Sequence, residues 1–150
     1  LNYDLLQKNT TYALPITFGY TFTDARFLNS FGSDASLWGD VQSGDELPYI
    51  AKHQFNTSIS LEHHKFELNI NGRLNGAFKT EASADAVNAA NGITSNFIID
   101  FVGKYHVSKS LSLSAKIINV LDKTYAVAKV PAGLRPGHPF GIYGGLDFRF

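Results

Sequence analysis

The sequence predicts an all-β chain, an antiparallel up-and-down transmembrane β-barrel of which these residues form the last six strands. Three observations carry this expectation. Apolar residues alternate with Ser, Thr, Asn and Gly at a period of two in one segment after another. That is the pattern of strands whose successive side chains point to opposite faces. The connections between the segments run short, long, short, long, as the two rims of an outer-membrane barrel do. No apolar run in the 150 residues approaches the roughly 20 needed for a membrane helix, so any crossing uses strands of about ten residues.

The elements follow in order. Residues 1–6 read as the end of a strand whose start is missing, and 7–10 as a polar turn. The absence of Met suggests a mature or excised segment. In residues 15–23, Ile16, Phe18, Tyr20 and Phe22 share one face; Thr17, Gly19, Thr21 and Thr23 share the other. Residues 27–51, with their Gly, Ser, Asp and Pro, read as a long loop, unusual in a compact soluble domain. Alternation resumes with Phe55, Thr57, Ile59 and Leu61 against Asn56, Ser58, Ser60 and Glu62. After a reversal at His63-His64, Phe66, Leu68, Ile70, Gly72 and Leu74 alternate with Glu67, Asn69, Asn71, Arg73 and Asn75.

A second long loop spans 79–94. Phe97, Ile99, Phe101, Gly103 and Tyr105 then alternate with Ile98, Asp100, Val102 and Lys104. The short turn 107–110 leads to Leu111, Leu113, Ala115 and Ile117, set against Ser112, Ser114, Lys116 and Ile118. A third long loop, 122–139, precedes the terminal strand 140–150. There Phe140, Ile142, Gly144, Leu146, Phe148 and Phe150 share one face; Gly141, Tyr143, Gly145, Asp147 and Arg149 share the other. Termini are normally frayed and polar unless tied down, so an aromatic last residue implies an anchored strand.

This layout puts the loops 27–51, 79–94 and 122–139 outside the cell, and the turns near 7–13, 63–64 and 107–110 in the periplasm. The apolar faces meet outer-membrane lipid, and the polar faces line a wet lumen. A soluble sandwich or lipocalin-like barrel also alternates, but its outward face would carry many Lys and Glu. Here charged residues are only 17% and aromatics 13%. Six strands do not close a membrane barrel, for which about eight is the minimum. Open edges in lipid cost several kcal/mol per unpaired group. The chain is therefore expected to be a piece of a larger barrel or a subunit of a shared one, and the partial first strand favours a piece.

Thirteen Lys plus Arg balance thirteen Asp plus Glu, so there is no basic footprint for nucleic acid. Without Cys there is no disulfide framework or thiolate metal site. The five His are not spaced with carboxylates as a zinc site would need. His63 and His64, adjacent at a strand end, are expected to diverge. No Ser-His-Asp spacing, carboxylate pair or phosphate loop stands out, so neither an enzyme nor a cofactor is expected.

Several motifs carry a family resemblance. Gly44-Asp45-Glu46-Leu47-Pro48-Tyr49, followed by His53, resembles the segment leading into a late barrel strand of TonB-dependent outer-membrane receptors. Asn119-Val120-Leu121-Asp122-Lys123-Thr124-Tyr125 is similar to that family's Asn-x-x-Asp-Lys-x-Tyr signature, and 131–137 to its last loop. The terminal strand resembles the signal read by the barrel assembly machinery, with Ile142, Leu146, Phe148 and Phe150 as its residues. The ferric dicitrate type is the most similar subfamily, although Ala51 stands where Pro is common and Phe140 where Arg is common. The resemblance implies that residues 1–150 are the carboxyl-terminal part of a plugged barrel of about 22 strands. It implies import of a ferric chelate across the bacterial outer membrane, energised by TonB through an amino-terminal plug that this chain lacks.

On that reading, Asp45, Glu46, Arg135 and His138 are the candidate ligand residues, because binding residues concentrate on loops. Arg135 suits an anionic chelate, or it bonds backbone carbonyls and pins its loop; both remain open. Arg73, Asp100, Lys104, Lys116, Glu62, Glu67, Asp147 and Arg149 fall on the lumen register. They either touch the plug or permeant or, as favoured, pair with one another where charge costs little. The competing classes are a barrel that anchors or exports another domain, of the autotransporter or adhesin type, and an outer-membrane hydrolase.

Overall fold

The computed structural model describes residues 1–7, 9, 11–35 and 38–149. Its elements are all strands. They begin with β1 (Asn2–Asp4), β2 (Tyr12–Ala13), β3 (Pro15–Phe22), β4 (Phe31–Gly32) and β5 (Asp40–Val41). β6 (His53–His63), β7 (Phe66–Asn75), β8 (Phe78–Lys79), β9 (Gly92–Ile93) and β10 (Asn96–His106) follow. The last are β11 (Leu111–Ile118), β12 (Ala126–Ala128), β13 (Arg135–Pro136) and β14 (Gly141–Phe148).

One eight-stranded sheet runs β1-β3-β6-β7-β10-β11-β14, with β2 paired to β6. Every pair in it is antiparallel. Long strands adjacent in the chain are adjacent in the sheet, which is an up-and-down meander. The register aligns the sequence periodicity across the strands. Ile59 faces Ile70, Ile70 faces Phe101, Phe101 faces Ile117 and Ile117 faces Ile142. A one-residue slip would turn every one of these side chains to the other face, so the apolar face fixes the register.

That face is continuous and uncovered: Ile142, Leu146 and Phe148 are 66%, 70% and 62% exposed. A patch of this extent marks a surface made for an apolar environment. Aromatic clusters bound it at both ends, as interfacial girdles do. At one end Tyr20 and Phe22 pack on His53, and Phe55 packs on Tyr20 and Phe18; the Tyr20 hydroxyl lies 2.9 Å from His53 Nδ1. At the other end Tyr12 stacks on His63 with ring centroids 4.8 Å apart. His64 joins this second cluster, 4.0 Å from His63, so the two histidines do not diverge. Alternation holds only while the backbone is extended, and His64 already belongs to the turn after β6.

The opposite face is polar and largely paired. Asn69 Nδ2 donates to Ser58 Oγ at 2.8 Å and Ser60 Oγ at 2.5 Å, and Asn71 donates to Asn69. Arg73 pairs with Asp100 at 3.0 Å, Lys104 with Asp147 at 3.0 Å, and His106 with Glu67 at 3.3 Å. The favoured lumen network is therefore present in part; Glu62, Lys116 and Arg149 form no ion pair among the described residues.

Two boundaries differ from the sequence expectation. Residues 12 and 13, expected in a turn, pair with His63 and Glu62. Asp4 Oδ1 accepts from Leu6 N and Leu14 N, both at 2.9 Å, and so holds the break between β2 and β3. The long loops are also not irregular: β4–β5, β8–β9 and β12–β13 each form a short ladder within or at the base of one. The buried apolar residues, Val41, Ala51, Ile93, Ile98 and Ala128, lie almost entirely in these connections. Ile98 is the exception. It sits on the polar-face register yet is 0% exposed, so near this rim the inner face is covered rather than wet.

Candidate ligand-binding loop cluster

The antiparallel meander places the three long connections at one rim, where they are fastened to one another. Tyr49 does most of this. Its N–H donates to the Lys79 carbonyl at 2.7 Å. Its hydroxyl donates to the Val130 carbonyl at 2.6 Å and accepts from Val130 N at 2.9 Å and Lys129 N at 3.2 Å. One residue thus ties the first connection to the other two. Its φ of 63° is left-handed, costly for a side chain with a Cβ, and these bonds hold it there. Lys129 adds a second tie, donating from Nζ to the Ala89 carbonyl at 3.0 Å and to that of Ala90.

A charge network lies beneath. Glu46 meets Lys52 at 2.7 Å, Arg26 at 3.3 Å and Lys79 at 3.4 Å, and Arg26 also pairs with Asp24 at 3.1 Å. Lys79 is 2% exposed, and its Nζ also donates to the Ser83 carbonyl at 2.5 Å. Burial pushes the Glu46 carboxyl up, but Lys52 and Lys79 outweigh it and hold Glu46 below its ordinary value of 4.5. Asp45 is 6% exposed, and its Oδ2 accepts from Gln42 N at 2.8 Å. Both acids are thus engaged inside the cluster, and neither presents a free carboxylate to an incoming molecule.

The Asn-x-x-Asp-Lys-x-Tyr stretch closes the third connection. Asn119, 1% exposed with φ 49°, takes its N–H to Asp100 Oδ1 at 2.8 Å. Its Nδ2 donates to the carbonyls of Lys123 at 2.9 Å and His138 at 3.0 Å, and its Oδ1 accepts from Lys123 N at 3.0 Å. Tyr125 packs so closely on Gly137 that a Cβ there would lie 2.1 Å from the ring; only glycine fits. The Tyr125 hydroxyl accepts from His138 N at 3.3 Å.

His138 Nε2 lies 3.4 Å from the Tyr143 hydroxyl. With Arg73, Asp100, Lys116 and Asn119 these residues line a cavity of about 390 Å³ on the polar face. Arg135, in contrast, stands exposed on β13; its side chain bonds no carbonyl among the described residues. The candidate residues are therefore dispersed. Asp45 and Glu46 brace the loops, His138 edges a lumen-side cavity, and Arg135 stands exposed with no ion-pair partner among the described residues.

Sequence reasoning had Tyr49 only as the end of a motif, missing its role as a tie, and missed one aromatic group. Phe27 packs edge-on against both Phe31 and Trp38, with centroids 5.5 Å apart in each case. Leu28 beside them is 85% exposed. The signal was available: a polar loop holding Phe27, Leu28, Phe31 and the sole Trp is unlike its neighbours. On the terminal strand, Ile142, Leu146 and Phe148 lie exposed on the apolar face, and Phe150 lies outside the described residues.

No family model and no curated protein matches the sequence. Solved structures do. A ferric-catecholate import receptor, Fiu, from E. coli K12 aligns with 95% of this chain at a TM-score of 0.71 and 20% identity. The siderophore receptor PiuA from Acinetobacter baumannii covers 98% of it at 0.71 and 13% identity. The ferripyoverdine receptor of the outer membrane of Pseudomonas aeruginosa covers 98% at 0.64 and 17% identity. This is the fold of outer-membrane siderophore receptors. The chain spans 19%, 20% and 18% of those three receptors, and so corresponds to part of one such barrel wall.

Proposed function

We propose that the chain is the carboxyl-terminal part of the barrel of a TonB-dependent receptor in the bacterial outer membrane, one that imports a ferric chelate. The observation that carries this reading is the structural match to siderophore receptors over 95% of the chain. The uncovered apolar face supports placement in lipid. The three joined connections support an extracellular surface built for binding rather than simple caps on strands.

The residues divide the work. Arg135, exposed and unpaired among the described residues, attracts an anionic chelate. His138, at the edge of the lumen-side cavity, meets it further in. Phe27, Phe31 and Trp38 offer ring faces to an apolar or aromatic chelator. Asp45 and Glu46 hold the loops in place instead of touching ligand. TonB supplies energy through a plug outside this chain, and the assembly machinery reads Ile142, Leu146, Phe148 and Phe150. The sequence motifs favour ferric dicitrate within the class.

Binding of radiolabelled ferric citrate and a ferric catecholate to the intact receptor tests the assignment. Arg135→Gln should weaken the bound chelate about tenfold or more, the worth of a hydrogen bond to a charged group, with receptor levels unchanged. Unchanged affinity for both chelates would remove Arg135 from the site. Stronger binding of the catecholate would replace dicitrate as the ligand.

A further inference from the structure

The short-turn rim holds a second cavity, of about 320 Å³, which contains none of the residues assigned to the chelate. The β6–β7 turn, the β10–β11 turn and the end of β14 meet there. Lys65, Lys109 and Arg149 reach it from those three segments. Backbone bonds join the three segments: Arg149 N donates to the Ser110 carbonyl at 2.9 Å, and His106 N to the Lys65 carbonyl at 2.8 Å. None of the three cationic side chains has an ion-pair partner among the described residues. Asp147 also lines the cavity, but its carboxylate is engaged with Lys104 at 3.0 Å, and nearby Glu67 is engaged with His106 at 3.3 Å. His64 and the hydroxyl of Ser110 add further donors to the lining.

Like charges gathered on one cavity repel each other, and a bound anion relieves that repulsion. Donors arriving from three sides suit an anion with several acceptor oxygens, and charge-assisted bonds to such an anion are the strong ones. We propose that this cavity binds a phosphate group. The Tyr12–His63–Phe66 cluster at the same rim marks the level of the lipid headgroups but lies on the apolar face, whereas His106, Ser112, Asp147 and Arg149 put the cavity on the polar face. Free phosphate reaches it directly, and an anionic headgroup only around the rim. The inference rests on the barrel fold and not on the identity of the chelate.

Equilibrium dialysis of radiolabelled inorganic phosphate against the intact receptor, in a phosphate-free detergent, tests it. The wild type should bind phosphate saturably, and Lys65→Gln/Lys109→Gln should weaken binding at least tenfold while chelate binding is unchanged. Chelate binding also reports that the double variant is folded; if it does not assemble, Lys109→Gln alone, on an exposed turn, takes its place. Repeating the dialysis in phosphatidylglycerol discs separates the sources. Loss of phosphate binding there assigns the site to a headgroup, and its persistence assigns free phosphate. Equal binding by wild type and variant, or binding by neither, would overturn the proposal. Absent chelate binding alongside intact phosphate binding would count against import and leave this site standing.

Discussion

Tyr49 shows how much one hydroxyl can organise. Tyr49→Phe keeps the ring, which packs beside Phe78 at 5.9 Å, and removes the bonds to Val130 and Lys129. Leaving those backbone groups without a partner costs about 1–3 kcal/mol. Hydrogen exchange should therefore speed up across residues 122–139 and stay unchanged in β6, β7 and β10. Unaltered protection of the loop would mean that the tie does not hold it. Glu46 makes the cluster sensitive to acid. Its folded value lies below 4.5, so its contribution is complete above that pH and is lost as pH falls through the lower folded value. Proteolytic nicking of residues 27–51 should rise below about pH 4.5 in the wild type and lose that dependence in Glu46→Gln. A parallel rise in both would place the acid response elsewhere.

For the elements, the strands were legible in the sequence and the loop ties were not. A period of two is a local signal, and Phe66 to Asn75 displays it unaided. Strand ends were less clear because residues such as Tyr12 and His53 suit a rim or a turn equally well. Tyr49 and Val130 lie 81 residues apart, and nothing local marks such a contact. Ile98 was legible as apolar but not as buried, since nothing local distinguishes it from the wet positions on the same face. Asp100 shows the same limit. It sits on the tolerant polar face by register, yet it bonds both Arg73 and Asn119 N, so it is not a neutral position. Val102 is the better control. Phe101→Lys places a charge on the apolar face and should cost about 2–4 kcal/mol near the midplane, seen as lost outer-membrane receptor. Val102→Lys, one residue on, should assemble. Equal loss from both would indicate a strand buried on two sides.

At the scale of the molecule, each part of the sheet makes sense only as part of a larger wall. The β1 and β14 edges carry backbone groups that lipid cannot satisfy, and further strands of the same barrel would pair them. On the proposed reading, the apolar face then meets hydrocarbon, the ion pairs of the polar face line the interior, and the tied loops form part of the outer surface. The most direct test is uptake of iron-55 chelates by cells that carry the intact receptor, cells that lack it, and cells whose receptor has residues 122–139 shortened. Uptake of one ferric chelate should depend on the receptor and on the proton-motive force. Shortening the loop should reduce it while the barrel remains in the outer membrane. Uptake that is indifferent to removing the whole receptor, for ferric citrate and ferric catecholates alike, would contradict the import function.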